Sequence, residues 1–221
     1  MYPRLTTQAL TLFALLILAA CGGGGGSNNS AGTVEAVAPP PEPVFTIVGS
    51  VDASLDAGAN VFVDLAGQRF STTTDSQGRY ELEVDSSASD SLVSLNAQGK
   101  DAQDMLILAS ALGDLKSLKS LAGNDARLTT DELAAVEITP LTTAAVGLVM
   151  IENNGGLPLS FDELRSHSLN VNSEEMLIAS AALELAVNDP NMKSMMLSGD
   201  ASTMDLVTSV DRLYDAVSSI Q

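Results

Sequence analysis

Apolar and polar residues alternate along residues 44–99. Alternate residues of a β-strand lie on opposite faces, so this pattern predicts strands with one buried face. Five such strands are predicted. The turn-forming segments between them include Asp56-Ala57-Gly58, Ala66-Gly67 and Asp75-Ser76-Gln77-Gly78. The predicted buried faces are Phe45, Ile47, Gly49 and Val51 in the first strand, Val61, Val63 and Leu65 in the second, and Tyr80, Leu82 and Val84 in the fourth, with the third strand at residues 69–74 and the fifth at residues 92–95. Short strands joined by tight turns are typical of an antiparallel β-sandwich.

Beyond residue 100 the apolar residues recur every three or four positions, which is the period of an α-helix. The first run predicts a helix that ends near Leu121 and buries Met105, Leu108, Leu112, Leu115 and Leu118. A second helix begins near Pro140 and buries Leu141, Ala144, Ala145, Leu148 and Val149. A third begins at Ser173 and aligns Met176, Ala179, Leu183 and Val187, and a last one aligns Val207, Val210, Leu213, Tyr214, Val217 and Ile220. The predicted fold is therefore α+β, with a small antiparallel β-sandwich at 44–99 and an all-helical domain at 100–221.

A weak repeat lies within the helical part, because residues 128–133 and 159–164 share one pattern of apolar, hydroxyl and acidic residues. In each copy a hydroxyl residue precedes an acidic pair, Asp131 and Glu132 in the first copy. This pattern is typical of a capped helix start, so we expect each copy to begin a short helix.

The turn before the fourth strand has a specific arrangement of residues. The Asp75 carboxylate can cap the turn, Gly78 can adopt a positive φ, and Tyr80 returns to the core on the next strand. We therefore interpret Asp75, Gly78 and Tyr80 as a structural turn. The alternative is that Asp75 binds calcium, but such a site needs about six to eight oxygen ligands and the sequence places only Asp75 there.

Three segments carry a family resemblance, and they are Gly49-Ser50-Val51, Ala59-Asn60-Val61-Phe62-Val63 and Thr74-Asp75-Ser76-Gln77-Gly78-Arg79-Tyr80-Glu81-Leu82. Residues 44–99 resemble the carboxypeptidase regulatory-like domain, which is a transthyretin-like β-sandwich. The resemblance implies a folding, spacing or recognition unit without catalytic residues. Helical periodicity follows Gly99 where that family has one or two more strands. The sandwich is therefore either incomplete, or completed by the helical part or by another protein.

The first twenty residues have the pattern of an export signal. Arg4 precedes an apolar run of eleven residues that ends at Ala20. A membrane-spanning helix needs about 20 apolar residues, so this run predicts a signal peptide at 1–20. The segment Leu18-Ala19-Ala20-Cys21 resembles the lipobox of bacterial lipoproteins. That resemblance implies that Cys21 becomes the first residue of the mature chain and carries a diacylglycerol on its sulfur.

Cys21 is the only cysteine, so the mature chain is predicted to have no internal disulfide. The alternative is that Cys21 is the free thiol of an ordinary secreted protein. Residues 21–43 form the predicted lipid anchor and tether, because a run of glycines is flexible and the prolines that follow it stiffen the chain. In lipoproteins of Gram-negative bacteria an Asp after the lipidated cysteine marks inner-membrane retention. The residue here is Gly22, so the resemblance implies the outer membrane.

Acidic residues dominate the charge of the chain. It has 28 acidic and ten basic residues, and removal of residues 1–20 takes away only Arg4, which leaves a net charge of −19. Such a chain repels phosphate backbones and anionic lipid headgroups, so nucleic-acid binding is not expected. The expected partners are the membrane, through the lipid on Cys21, and an envelope protein.

The residue inventory excludes the commonest catalytic sites. His167 is the only histidine, and no nucleophile elbow, zinc-binding helix motif or phosphate-binding loop occurs. We therefore expect no catalytic, cofactor-binding or metal-binding residues, and we expect His167 to be an exposed helix-end residue. The predicted function is that of a non-enzymatic, lipid-anchored envelope protein that acts as a binding or structural module. The alternative is a carboxylate-based envelope hydrolase acting on carbohydrate, although the chain has no Trp and only three Tyr.

Overall fold

The computed structural model describes residues 44–55, 57–85, 90–197 and 201–209. The strands are β1 Phe45–Ser50, β2 Asn60–Leu65, β3 Gln68–Thr73, β4 Arg79–Val84, β5 Leu92–Gln98, β6 Ile107–Asp114 and β7 Arg127–Leu128. The helices are α1 Leu115–Ala122, α2 Pro140–Glu152, α3 Phe161–Ser168, α4 Ser173–Asn188, α5 Pro190–Met196 and α6 Thr203–Val207. Within those described ranges, no helix combines the length and the apolar composition that a membrane span requires.

Several sequence predictions fall outside the described residues. They are the signal peptide at 1–20, the lipidation site Cys21, the tether at 21–43, and the part of the last helix beyond Ser209. That part contains Val210, Leu213, Tyr214, Val217 and Ile220.

The strands form two sheets, one with the order β4-β1-β7 and the other with the order β3-β2-β5-β6. The named strands pair in antiparallel fashion except for β1 and β7, which form a short parallel pair. The alternation correctly identified the core-facing residues, since the following are buried: Phe45, Ile47, Val51, Val61, Val63, Leu65, Tyr80, Leu82 and Val84. Two largely antiparallel sheets with several helices confirm the α+β class.

The helix predicted from Met105 is wrong over its first half. Residues 107–114 form β6, which pairs with β5, and α1 begins only at Leu115. Two buried leucines, Leu108 and Leu112, fit the period of a strand as well as that of a helix. Pairing with β5 covers a sheet edge that would otherwise be open, so the tertiary structure selects the strand. Asp114 then starts the helix, because its carboxylate accepts a 2.8 Å hydrogen bond from the N–H of Ser117.

Strands β6 and β7 lie beyond residue 99, in the part that the sequence predicted to be helical. Each strand extends one of the two sheets. Of the three possibilities left open above, the structure therefore supports completion of the sheets by the second part of the chain. Buried residues of both sheets and of the helices form one apolar cluster. The described residues belong to one compact unit, Pro41–Gln221.

Helix α2 contacts β6, α3, α4 and α6, and most of its residues are buried. Its start is held by a reciprocal pair of hydrogen bonds. The N–H of Thr142 donates to Oγ1 of Thr139 at 3.1 Å, and the N–H of Thr139 donates to Oγ1 of Thr142 at 2.9 Å. Pro140 occupies the first turn, as predicted. Leu141, which was expected to be buried, is exposed.

The two copies of the sequence repeat differ in structure. The second copy begins α3, with Ser160 as its cap. The first copy forms a turn in which Glu132 accepts hydrogen bonds from Thr129, and one 3₁₀ turn follows at Ala134–Val136. An α-helix does not continue there because the N–H of Ile138 donates to the carbonyl of Ser50 at 2.8 Å, which holds the chain extended beside β1.

Candidate functional site

The turn at residues 75–78 uses both carboxylate oxygens of Asp75. Oδ1 accepts hydrogen bonds from the N–H groups of Gln77 at 2.8 Å and Arg79 at 2.9 Å, and Oδ2 accepts one from Nε of Arg79 at 3.0 Å. The backbone N–H of Arg79 is the largest cause of a lowered pKa at Asp75, and that of Gln77 follows. Gly78 has a φ of +75°, and its carbonyl accepts a 2.8 Å hydrogen bond from Val51. These contacts hold the turn closed, and both carboxylate oxygens of Asp75 take part in them.

Tyr80 is the member of the turn sequence that reaches furthest into the molecule. Its side chain is 2% exposed, and its hydroxyl donates a 2.6 Å hydrogen bond to the carbonyl oxygen of Val136. Burial raises the pKa of the Tyr80 hydroxyl, so it remains a neutral donor. Tyr80 therefore connects β4 to the segment that leads into α2.

A wide surface depression of about 660 Å³ lies beside β3 and β4, each of which is the last strand of its sheet. Its lining is largely polar and includes Thr72, Thr73, Arg79 and Glu81. The outer edge of a terminal strand presents unpaired backbone groups, which can accept an extended peptide. Charged side chains, among them Glu81 in its 2.9 Å ion pair with Arg127, discourage unspecific pairing at this edge.

The edge of β6 at the other end of the four-stranded sheet is closed by threonine side chains. The N–H of Ala109 donates to Oγ1 of Thr143 at 2.9 Å, and the carbonyl of Ala109 accepts a hydrogen bond from Oγ1 of Thr142 at 2.9 Å. At Ile107, the N–H donates to Oγ1 of Thr203 at 2.7 Å, and the same hydroxyl donates back to the Ile107 carbonyl. Helices α2 and α6 therefore occupy positions where another strand would otherwise add.

An apolar groove of about 200 Å³ lies beside these threonines, between β6, α2 and α3. Its walls are formed mainly by small and aliphatic side chains, and they include Ala111, Ala135, Ala145, Val146, Val149 and Leu164. Pockets that bury a drug-sized ligand occupy about 300–1,000 Å³. The groove is smaller than that, and its volume is closer to that of one large apolar side chain.

A third depression, of about 470 Å³, has three acidic residues in its lining, namely Asp90, Asp114 and Asp162. It is the arrangement most relevant to a carboxylate hydrolase. Burial is the largest single influence on the pKa of Asp114 and raises it, but hydrogen bonds with Ser117, a hydrogen bond to its own backbone and the charge of Lys116 together lower that pKa by more, so the net shift is downward. A general acid in such an enzyme needs a raised pKa, so Asp114 is unsuited to that role. Among the described residues, no group of three metal-ligating side chains could hold a metal ion.

Helices α3 and α4 carry the remaining candidate residues. His167 lies in the last turn of α3, and it is half-buried where we expected exposure. Helix α4 exposes Leu177, Ile178 and Leu185 on its outer face. The sequence pattern predicted only the inner face of α4, although Leu177, Ile178 and Leu185 also recur at helical spacing.

The lipidation site Cys21 lies outside the described residues, so the structure contains no geometry for it. Of the three segments that carry the family resemblance, those with Gly49 and with Asp75 and Tyr80 lie where β4 pairs with β1, and the segment at 59–63 lies at and within β2 of the other sheet. Comparison with protein-family models, with curated proteins and with solved structures found no match to this chain.

Proposed function

We propose that this chain is a lipid-anchored protein of the bacterial cell envelope that acts as a binding or structural module and not as an enzyme. A diacylglycerol on Cys21 would hold it at the outer membrane, and residues 22–43 would separate the folded part from the lipid surface. Support for the anchor comes from the sequence, since Leu18-Ala19-Ala20-Cys21 follows an apolar run of export-signal length. Two or more acyl chains give stable anchoring.

The folded part of this proposal is a transthyretin-like β-sandwich of the carboxypeptidase regulatory-like kind, with helices packed against it. The two largely antiparallel sheets and their shared apolar core support a sandwich. The turn formed by Asp75, Gly78 and Tyr80 supports the family resemblance, because each residue has the geometry that its position in the motif requires.

The observation that carries the binding role is the apolar groove between β6, α2 and α3. A concave apolar surface that is partly open to water can receive an apolar group of another molecule. The volume of the groove matches one side chain, which favours a protein partner over a small-molecule substrate.

The experiment is a pull-down of the lipidated protein from detergent-solubilised envelopes, with two matched variants. Ala145→Phe fills the groove, and Leu121→Ser changes an exposed leucine on α1 outside it. We expect a specific partner that is recovered with the wild type and with Leu121→Ser and is lost with Ala145→Phe. Failure to recover a specific partner, together with a carbohydrate hydrolase activity that an Asp or Glu substitution removes, would reject this function in favour of the envelope hydrolase.

A further inference from the structure

Helix α4 is apolar on both of its faces. The inner face packs against α2 and buries Ala179, Ala182, Leu183, Ala186 and Val187. The outer face carries four exposed apolar residues, Leu177, Ile178, Ala181 and Leu185, which we call the α4 stripe. Residues three and four positions apart are neighbours on a helix surface, so these side chains form one continuous strip. Leu177 is the most exposed of the three large residues, at 63%.

Such an outer face is unusual for a helix at the surface of a protein. Surface helices normally direct polar side chains to water, and a helix that is apolar all round is normally buried. Helix α1 of the same molecule exposes mainly polar residues, namely Lys116, Ser117, Lys119 and Ser120, with the single exposed leucine Leu121. Leu159 and Leu169, which flank α3, are also exposed, but α4 exposes three large apolar side chains on one helix. The α4 stripe therefore has the apolar character of a contact surface.

The charged residues of α4 itself have one sign. Glu174, Glu175 and Glu184 are exposed on α4, and the helix contains no basic residue. The chain as a whole has a net charge of −18. An apolar strip with an acidic border is complementary to an apolar strip with a basic border.

We propose that the α4 stripe is the docking surface for a cationic amphipathic helix, with apolar side chains along one face and Lys or Arg beside them. This inference rests on the proposed binding function and specifies the chemistry of the partner. The stripe runs over residues 177–185, which corresponds to about 12 Å at the rise of an α-helix, so two to three turns of a partner helix cover it.

Charge disfavours three other occupants. A second copy of this chain would bring the same glutamates together, and an anionic lipid surface would repel them. The C-terminal residues 210–221 contain two acidic residues, Asp211 and Asp215, against one basic residue, Arg212. They therefore lack the basic border that the α4 stripe calls for.

The test uses the mature chain with Cys21→Ser, so that it is independent of the lipid anchor. The probe is an amidated 18-residue peptide of Leu and Lys arranged as an amphipathic helix. A peptide of the same composition in scrambled order and a Leu and Glu counterpart serve as peptide controls. Binding is measured by calorimetry at low and at physiological salt.

We expect the Leu and Lys helix to bind the parent chain, and the double substitution Leu177→Ser with Ile178→Ser to weaken that binding about tenfold or more. Leu121→Ser makes the same kind of change at an exposed leucine of α1, and we expect it to leave the affinity unchanged. Both sites are exposed, so thermal unfolding should show that each variant keeps its fold. Substitution of Glu174 and Glu184 by Gln should weaken binding at low salt more than at high salt.

Four results would overturn the inference. If the parent chain and the double variant bind the Leu and Lys helix with equal affinity, the interaction is only a general attraction to an acidic protein. If the scrambled peptide or the Leu and Glu peptide binds as tightly as the Leu and Lys helix, the α4 stripe does not recognise a cationic amphipathic helix. Binding that requires deletion of residues 210–221 would identify the chain's own C-terminus as the occupant. If the parent chain is a dimer and the double variant is a monomer, the occupant of the α4 stripe is a second copy of the chain. None of these results bears on the groove or on Cys21, so the proposed function would be unaffected.

Discussion

The hydroxyl of Tyr80 and the carbonyl oxygen of Val136 form a 2.6 Å hydrogen bond between β4 and the segment that leads into α2. Gly49 makes room for this contact. A Cβ atom at position 49 would lie 2.2 Å from the Val136 oxygen and 2.8 Å from the Tyr80 hydroxyl. The strands and the helices of this protein are therefore joined by a buried polar contact as well as by apolar packing.

Tyr80→Phe removes this hydrogen bond and keeps the aromatic ring in the core. The Val136 carbonyl then lacks a partner, so we expect the free energy of unfolding to fall by about 1–3 kcal/mol. Chemical denaturation followed by circular dichroism measures the change. Phe70→Tyr is the matched control, because it changes the same hydroxyl group on a half-buried ring of β3. A Tyr80→Phe variant as stable as the wild type would show that the bond contributes nothing.

Thr143→Val tests the threonine contacts that close the edge of β6. Valine has nearly the same shape but no hydroxyl, so the N–H of Ala109 loses its acceptor. We expect a loss of about 1–3 kcal/mol in the free energy of unfolding. Thr143→Ser keeps the hydroxyl and should recover most of that loss. We expect amide hydrogen exchange at Ala109 to be faster in the valine variant and not in the serine variant. Equal exchange rates in both variants would contradict a role for the Thr143 hydroxyl at this edge.

Asp75→Asn tests the turn through its pH dependence. The hydrogen bonds lower the pKa of Asp75 in the folded state, so the ionised carboxylate stabilises the fold at pH values above its unfolded pKa of about 3.9. This contribution is lost as the pH falls through the folded-state pKa. We expect Asp75→Asn to lower the melting temperature at pH 7, and the difference from the wild type to shrink below about pH 4. Asp85→Asn, another exposed position, is the control, and a difference that does not depend on pH would refute this explanation.

Gly147→Ala tests the packing of α6 on α2. A Cβ atom at position 147 would lie 2.5 Å from Cγ2 of Val207, so one helix must shift. Overpacking of this kind costs about 1–3 kcal/mol in the free energy of unfolding. Gly156→Ala is the matched control, because a Cβ atom there meets no atom within 4 Å. Equal melting temperatures for the two variants would mean that α6 does not hold the position described.

The sequence allowed correct prediction of the strands that bury one face. In β2 and β4 the alternation is clear because every second residue is more exposed, so residues such as Val63 and Leu82 have only one face on which they can be buried. In β1 the structure buries Thr46 as well as Phe45 and Ile47. Strand β6 was missed because Leu108 and Leu112 fit both periods. Its choice of structure depends on β5, which is a partner that local periodicity does not contain.

The contacts that define the candidate surfaces could not be predicted either, because they join residues far apart in the sequence. Thr143 meets Ala109 across 34 positions and Thr203 meets Ile107 across 96, so neither pair leaves a local pattern. The turn residue Asp75 was recognisable because its side-chain hydrogen bonds lie within four positions, and Gly78 because glycine readily adopts a positive φ. The groove at Ala145 exists only because α2, α3 and β6 meet there.

The central claim is that a lipid on one sulfur holds this protein at the envelope. Mass spectrometry of the N-terminal peptide of the mature protein, purified from its own membranes, tests that claim most directly. We predict a peptide that begins at Cys21 and carries the mass of a thioether-linked diacylglycerol, which Cys21→Ser abolishes together with membrane fractionation. A peptide that begins elsewhere, or an unmodified thiol at Cys21 in protein that still fractionates with membranes, would contradict it.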